Sequence, residues 1–232
     1  KVLGFTRDIV LTDIYGASSI ADAYLATLSI PDMLLDLLAN TTMIGLVPIA
    51  VEKIKHNDSS VNSFVNSVLK ILLSVGVILV LLLVFFPGFV INILAPGFTG
   101  ETKDIAILFL RIISLTILFR TVANIFNAFL NANKVFIPGA FLGIILDMMV
   151  ILGILLSNRT DLIYILPLGA VLGTLAQMAF ISPFTIKNGY HFQMKSSLWN
   201  EDIKSLLVMI IPASLSVGLM QISSIVNKAL AS

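Results

Sequence analysis

The chain alternates long apolar runs with short polar or Gly/Pro-marked breaks. Seven apolar segments can be read: Lys1–Tyr15, Ile20–Val51, Val61–Phe86, Asp104–Asn131, Phe136–Leu156, Leu162–Lys187 and Ile203–Ser232. Runs such as Ile71–Phe86 are apolar on every face, which predicts helices and excludes the alternating pattern of a membrane β-barrel. Most segments reach the roughly 20 residues a helix needs to cross the hydrocarbon core, and the longer ones have room to tilt. The expected fold is all-α: a polytopic transmembrane helical bundle of about seven helices, with residues 1–232 as a single transmembrane domain. The first segment is short for a span, the chain opens at Lys1, and Ser232 is followed by no polar tail. These features read as a piece, truncated at both ends, of a transporter-sized protein.

Composition sharpens the picture. Hydrophobic residues make up 58% of the chain and charged residues 12%, with a mean hydropathy of +1.04. Soluble domains carry about 25% charged residues, so both a soluble enzyme and a disordered chain are excluded. The 14 basic and 13 acidic residues nearly cancel, which leaves no basic footprint for a nucleic-acid partner. There is no cysteine, and the two histidines have no metal-ligand spacing, so no metal site is expected. No nucleophile elbow, P-loop, HExxH or dinucleotide fingerprint is present, and the reading is a non-enzyme.

Lysine and arginine set the expected orientation. With the N-terminus in the cytoplasm, the inner connections hold Lys53, Lys55, Lys134, Lys187, Lys195 and Lys204, and the outer ones only Lys103 and Arg159. Pro87-Gly88-Phe89 and Pro96-Gly97-Phe98 predict turns around a short re-entrant or interfacial piece. Trp199, near Tyr190, His191 and Phe192, reads as an interfacial anchor.

Ionisable residues within the apolar spans carry the functional signal, because each costs at least about 2.5–3.5 kcal/mol to insert and normally faces a cavity or a partner. Arg120 and Asp147 lie equally far from the turn at Asn133–Lys134, so an antiparallel hairpin puts both about 20 Å from it. The expectation is an Arg120–Asp147 ion pair that locks the hairpin. Arg120 also opens a stripe through Asn124, Asn127 and Asn131 that could line a wet cavity, whereas Arg111 faces the opposite side and can snorkel outward. Ser29, Asp32, Asp36 and Asn40 share one helical face. Two carboxylates one turn apart require a proton or a nearby cation, and Arg7 is the natural counter-charge. Asp32, Asp36 and Asn40 therefore read either as a charge cluster that stitches helices together or as a cavity wall that binds a cation, a proton or a polar head group. No bound cofactor is expected; coupling to the membrane potential or to a monovalent cation is left open.

Several motifs then become familiar. Lys1–Asp8 reads KVLGFTRD, Tyr15–Tyr24 reads YGASSIADAY, and Ile30-Pro31 follows. Further on come LAPGF at Leu94–Phe98, FLNANKVFIP at Phe129–Pro138 and QISSIVNKALAS at Gln221–Ser232. In this order and spacing the chain resembles the first half of the MurJ (MviN) lipid II flippases, members of the multidrug/oligosaccharidyl-lipid/polysaccharide exporter superfamily. The resemblance implies one lobe of a two-lobed, fourteen-helix transporter in the bacterial inner membrane. It implies alternating access, a polyprenyl-linked sugar lipid as substrate, and cell-wall synthesis proteins as candidate partners. Arg7, Asp8 and Asp22 match family positions and are assigned to substrate binding by the resemblance, with Arg120 as a further candidate.

The helix-two motif departs from the family. A family sequence reads like IPNLLRRLFAEGAF, whereas Ile30–Met43 here reads IPDMLLDLLANTTM. Leu35 and Asp36 replace the arginine pair and Asn40 the glutamate; elsewhere Leu115 stands at a usual proline and Asp147 at a usual asparagine. The leading expectation is a lipid II flippase. The alternatives are a flippase for another polyprenyl-pyrophosphate oligosaccharide, a cation-coupled drug exporter, and a non-transporting scaffold for cell-wall assembly.

Overall fold

The computed structural model describes residues 2–56, 60–193 and 201–209, and for residues 36–42 the backbone alone. Trp199, most of the last apolar segment, and the side chains of Asp36 and Asn40 lie outside the described residues. The described helices are α1 (Val2–Tyr15), α2 (Ser19–Lys55), α3 (Val61–Phe85), α4 (Pro87–Leu94), α5 (Gly100–Ile113), α6 (Thr116–Ala132), α7 (Ile137–Thr160) and α8 (Ile165–Lys187). Residues 201–209 are also helical.

Local chemistry explains the boundaries. Ser18 caps α2 by accepting from the Ala21 N–H at 3.3 Å, and Asp22 sits in that first turn, where a carboxylate complements the helix dipole. Pro87 opens α4, whose missing N–H costs nothing at that position. Helix α6 ends at the Asn133–Lys134 turn that the hairpin reading requires. Lys134 adopts φ 62°, and the Val135 N–H reaches back to the Leu130 carbonyl at 2.9 Å, closing a Schellman motif. Gly189, at φ 91°, ends α8 in the same way, with Tyr190 N–H bonded to Thr185 O at 3.2 Å.

The expected single helix over Asp104–Asn131 is broken. Helix α5 stops at Ile113 and α6 starts at Thr116. Ser114 Oγ donates to Arg111 O at 2.8 Å and Thr116 Oγ1 to Ile113 O at 2.6 Å, while the N–H groups of Leu115, Ile117 and Leu118 each bond three residues back. Hydroxyls competing for backbone carbonyls tighten this stretch into 3₁₀-like turns. Together α5 and α6 still form one apolar span, Gly100–Ala132.

Among the described residues, four spans are long and apolar enough to cross a membrane: Val61–Phe85, Gly100–Ala132, Ile137–Thr160 and Ile165–Lys187. Large apolar side chains such as Ile78, Leu81, Phe85, Met148 and Leu152 face outward, which suits lipid rather than water. Inside, α7 pairs closely with α8. A β-carbon placed on Gly153 would lie 2.8 Å from Gly169 Cα, so only glycine allows the two backbones this approach.

Two apolar cores divide the bundle. One joins Leu46, Phe64, Val68, Phe126, Phe129 and Ile181; the other joins Tyr24, Ile30, Phe109, Ile117, Ile154 and Leu166. On α6 the change of core falls between Ile117 and Ala123, and on α8 between Ala170 and Ile181. Arg120, Thr174 and Gln177 occupy that gap. A polar layer thus lies between two apolar ones.

Candidate functional site

The polar layer opens into a cavity of about 220 Å³, lined by Arg7, Ser29, Asp32, Thr116, Arg120 and Thr174 among mostly apolar neighbours. Helix α2 supplies its wall through Leu25, Leu28, Ser29, Pro31 and Asp32. Pro31 has no N–H, so the Thr27 carbonyl loses its usual helical donor beside the cavity. The Ser29 hydroxyl donates to Ala26 O at 2.7 Å, which leaves its lone pairs to accept.

The two arginines of the cavity are held by carboxylates from different elements. Arg7 Nη1 donates to Asp147 Oδ1 at 3.2 Å, joining α1 to α7. Its Nε and Nη2 both donate to the adjacent Asp8 Oδ1, at 3.0 and 2.9 Å. Arg120 Nη1 pairs with Asp32 Oδ1, joining α6 to α2. These side chains are half-buried, Asp147 most deeply at 17% exposure and Asp32 least among the inter-helix partners at 53%.

The expected Arg120–Asp147 pair does not form. Both residues fall in the polar layer, as their distance from the hairpin turn requires, but each bonds elsewhere. Sequence spacing gives depth along a hairpin and not the direction in which each side chain leaves its helix. Helix α1 packs along α7 and brings Arg7 to Asp147, with Gly4 leaving room beside the carboxylate: a β-carbon there would sit 3.5 Å from Asp147 Oδ2. Helix α2 packs along α6 and brings Asp32 to Arg120. The counter-charge expected of Arg7 for Asp32 is therefore supplied by Arg120.

The remaining candidates are placed as follows. Asp8 braces Arg7 without lining the cavity, and Asp22 is exposed at the start of α2, also outside the lining. Arg111 is exposed while Arg120 faces inward, as their helical phase predicts. Beyond Arg120 the asparagine stripe leaves the cavity: Asn131 Nδ2 approaches Met43 Sδ at 3.8 Å, and the buried Asn127 Oδ1 has no hydrogen-bond donor. Asn127 Oδ1 instead crowds Gly139, where a β-carbon would lie 2.1 Å away.

Sequence reasoning did not single out Thr116, Thr174 or Gln177. Gln177 is buried and donates to Leu142 O at 2.7 Å, and Thr174 is buried against the cavity. For Thr174 and Gln177 the signal is a three-residue polar spacing in the middle of α8; Thr116, at the start of α6, has none beyond its hydroxyl. Among the described residues no group of acidic or histidine side chains could hold a metal ion. A cavity lined by two guanidinium groups suits a phosphate-bearing head group, since the planar fork matches phosphate oxygens.

Comparison with known proteins bears on the family and the fold. The MurJ family profile, described as "Lipid II flippase MurJ", matches residues 11–232. A protein of Buchnera aphidicola subsp. Acyrthosiphon pisum, described as "Probable lipid II flippase MurJ", is 28% identical over 98% of this chain and 46% of its own length. Lipid II flippase MurJ of Thermosipho africanus is 30% identical over 83% of this chain and 40% of its own. The chain thus spans less than half the length of these relatives. A solved lipid II flippase MurJ in an inward closed conformation superposes with a TM-score of 0.79 at 28% identity, over 97% of this chain and 47% of that one. A multidrug resistance MATE family transporter in an inward-facing conformation shares the fold alone, with a TM-score of 0.72 at 18% identity over 93% of this chain and 50% of its own. With four apolar spans among its described residues and a profile match over nearly its whole length, this membrane protein belongs to the MurJ lipid II flippase family, a family of transporters rather than of enzymes.

Proposed function

We propose that the chain supplies one lobe of an inner-membrane flippase that moves lipid II from the inner to the outer leaflet by alternating access. One observation carries the reading: Arg7 and Arg120, on different helices, line the same mid-depth cavity. Two guanidinium groups at one depth suit the pyrophosphate of a lipid-linked sugar. Arg7 and Arg120 bind the pyrophosphate, Asp8 orients Arg7, and the N-terminus lies in the cytoplasm, as the lysine distribution favours. The cluster of two guanidinium groups and three carboxylates (Asp8, Asp32 and Asp147) is formally negative by one. That imbalance favours uptake of a monovalent cation or a proton with the anionic head group, and hence coupling to the membrane potential.

A second reading, a flippase for another polyprenyl-pyrophosphate oligosaccharide, draws support from helix two, where Leu35 and Asp36 stand in place of the arginine pair of the family motif. Complementation separates the two. The full-length protein is expressed in cells depleted of their own lipid II flippase. Restored growth supports lipid II as substrate. Lysis despite correct insertion removes lipid II and leaves the second reading.

A further inference from the structure

We infer that Asp32 is an internal competitor for the anionic ligand: it pairs with Arg120, and a phosphate group that binds this guanidinium displaces it. The inference deepens the pyrophosphate reading above and rests on it.

Three features single out Asp32. First, among the described residues Asp32 is the one partner of the Arg120 guanidinium, which bonds through Nη1 to a single carboxylate oxygen. Four of the five N–H donors of Arg120 thus have no protein partner among the described residues, and an incoming anion can engage them before the carboxylate departs. Arg7, by contrast, spends three donors on two carboxylates, so its fork is largely filled. Second, the Asp32 side chain is 53% exposed whereas Asp147 is 17% exposed. On release Asp32 stays open to the cavity it lines, while the more enclosed Asp147 would be left as a buried charge without its partner. Third, Asp32 sits one residue after Pro31, in the stretch of α2 where the proline has already removed one backbone hydrogen bond, and both residues line the cavity. Small adjustments there cost less than in an uninterrupted helix.

Exchange of one anion for another at Arg120 carries a consequence for specificity. Every ligand that uses Arg120 binds more weakly by the cost of displacing Asp32. A ligand that gains only one guanidinium contact stays below useful affinity, whereas a pyrophosphate that touches both Arg120 and Arg7 retains enough. Asp32 therefore sets a threshold that keeps abundant singly charged phosphate head groups out of the cavity. It also gives bound substrate a built-in route to release, because the carboxylate returns as the phosphate leaves.

The test is a double-mutant cycle on binding of inorganic pyrophosphate to the purified full-length protein in detergent. Asp32→Asn keeps the side-chain shape and removes the competing charge. Pyrophosphate is expected to bind about tenfold tighter to Asp32→Asn than to the wild type. In an Arg120→Gln background the same substitution is expected to change affinity by less than about twofold, because the guanidinium for which Asp32 competes is gone. Equal tightening in both backgrounds would mean a general loss of negative charge and overturns the inference. Unchanged or weaker binding in Asp32→Asn also overturns it, since a carboxylate that merely positions Arg120 would produce that result. Asp32→Ser provides the same comparison should Asp32→Asn fail to fold. If wild type and variant both fold and neither binds pyrophosphate, the pyrophosphate reading falls and this inference with it. If wild type binds and the cycle shows no coupling, the inference alone falls.

Discussion

Arg7 and Asp147 meet at 3.2 Å across 140 positions of sequence, and their contact ties α1 to α7 within the polar layer. The Tyr15 hydroxyl adds a second tie, donating to Ser157 Oγ at 2.8 Å. Leu11 is the one buried residue of α1, so these polar contacts carry an unusual share of its attachment. Asp147→Ala is expected to cost about 1–2 kcal/mol, between the values for exposed and buried pairs. Exchanging the charges in Arg7→Asp/Asp147→Arg is expected to recover most of that stability but no transport. Thermal unfolding in detergent, set beside a flipping assay, checks both halves. Transport recovered along with stability would reduce Arg7 to a structural role.

The approach of α7 to α8 makes a second prediction. Gly153 and Gly169 leave no space for side chains, whereas a β-carbon on Gly143 would meet nothing within 4 Å. Gly153→Val is expected to destabilise the protein by about 1–3 kcal/mol through overpacking. Gly143→Ala, in the same helix, is expected to be neutral or slightly stabilising, by up to about 1 kcal/mol. Comparative melting of the two variants decides it; equal effects would contradict the close packing.

Tyr190 offers a pH-dependent test beyond the end of α8. Its ring packs against Phe126 and Phe129, and its hydroxyl donates to Asn66 Oδ1 at 2.8 Å. Burial pushes the phenol up to about 12. Because the folded value lies above the unfolded one, the stabilisation is complete below about pH 10 and is lost as pH rises toward 12. Melting temperature measured at pH 8 and at pH 11 should fall further for wild type than for Tyr190→Phe. The same drop in both would show that the phenol does not contribute.

Much of this fold is legible in the hydrophobic pattern, and the misses share a cause. Apolar run length gives α3, α7 and α8 within a few residues, and the Asn133–Lys134 turn is readable because it interrupts two runs. The break at Ser114–Leu115 is not, since two hydroxyl residues in an apolar run leave the hydropathy intact while diverting backbone carbonyls. Gly153 and Gly169 look like ordinary membrane-helix glycines until the helices are seen to touch there. For the site, mid-membrane charge picks out Arg7, Asp32, Arg120 and Asp147 from sequence. Who pairs with whom depends on the rotation of four helices about their axes, and the hairpin arithmetic contains no such information. Arg120 accordingly finds Asp32 on α2 rather than Asp147 on its neighbour in sequence.

Transport by the reconstituted full-length protein tests the central claim most directly. Flipping of lipid II is measured in proteoliposomes for wild type, Arg7→Gln, Arg120→Gln, the double variant and Arg111→Gln. Each cavity arginine is expected to contribute at least about tenfold to the rate, since each removes a charge-assisted hydrogen bond to phosphate. Arg111, exposed at the end of α5, is expected to be replaceable without loss. A double Arg7→Gln/Arg120→Gln variant that flips lipid II at the wild-type rate would contradict the account.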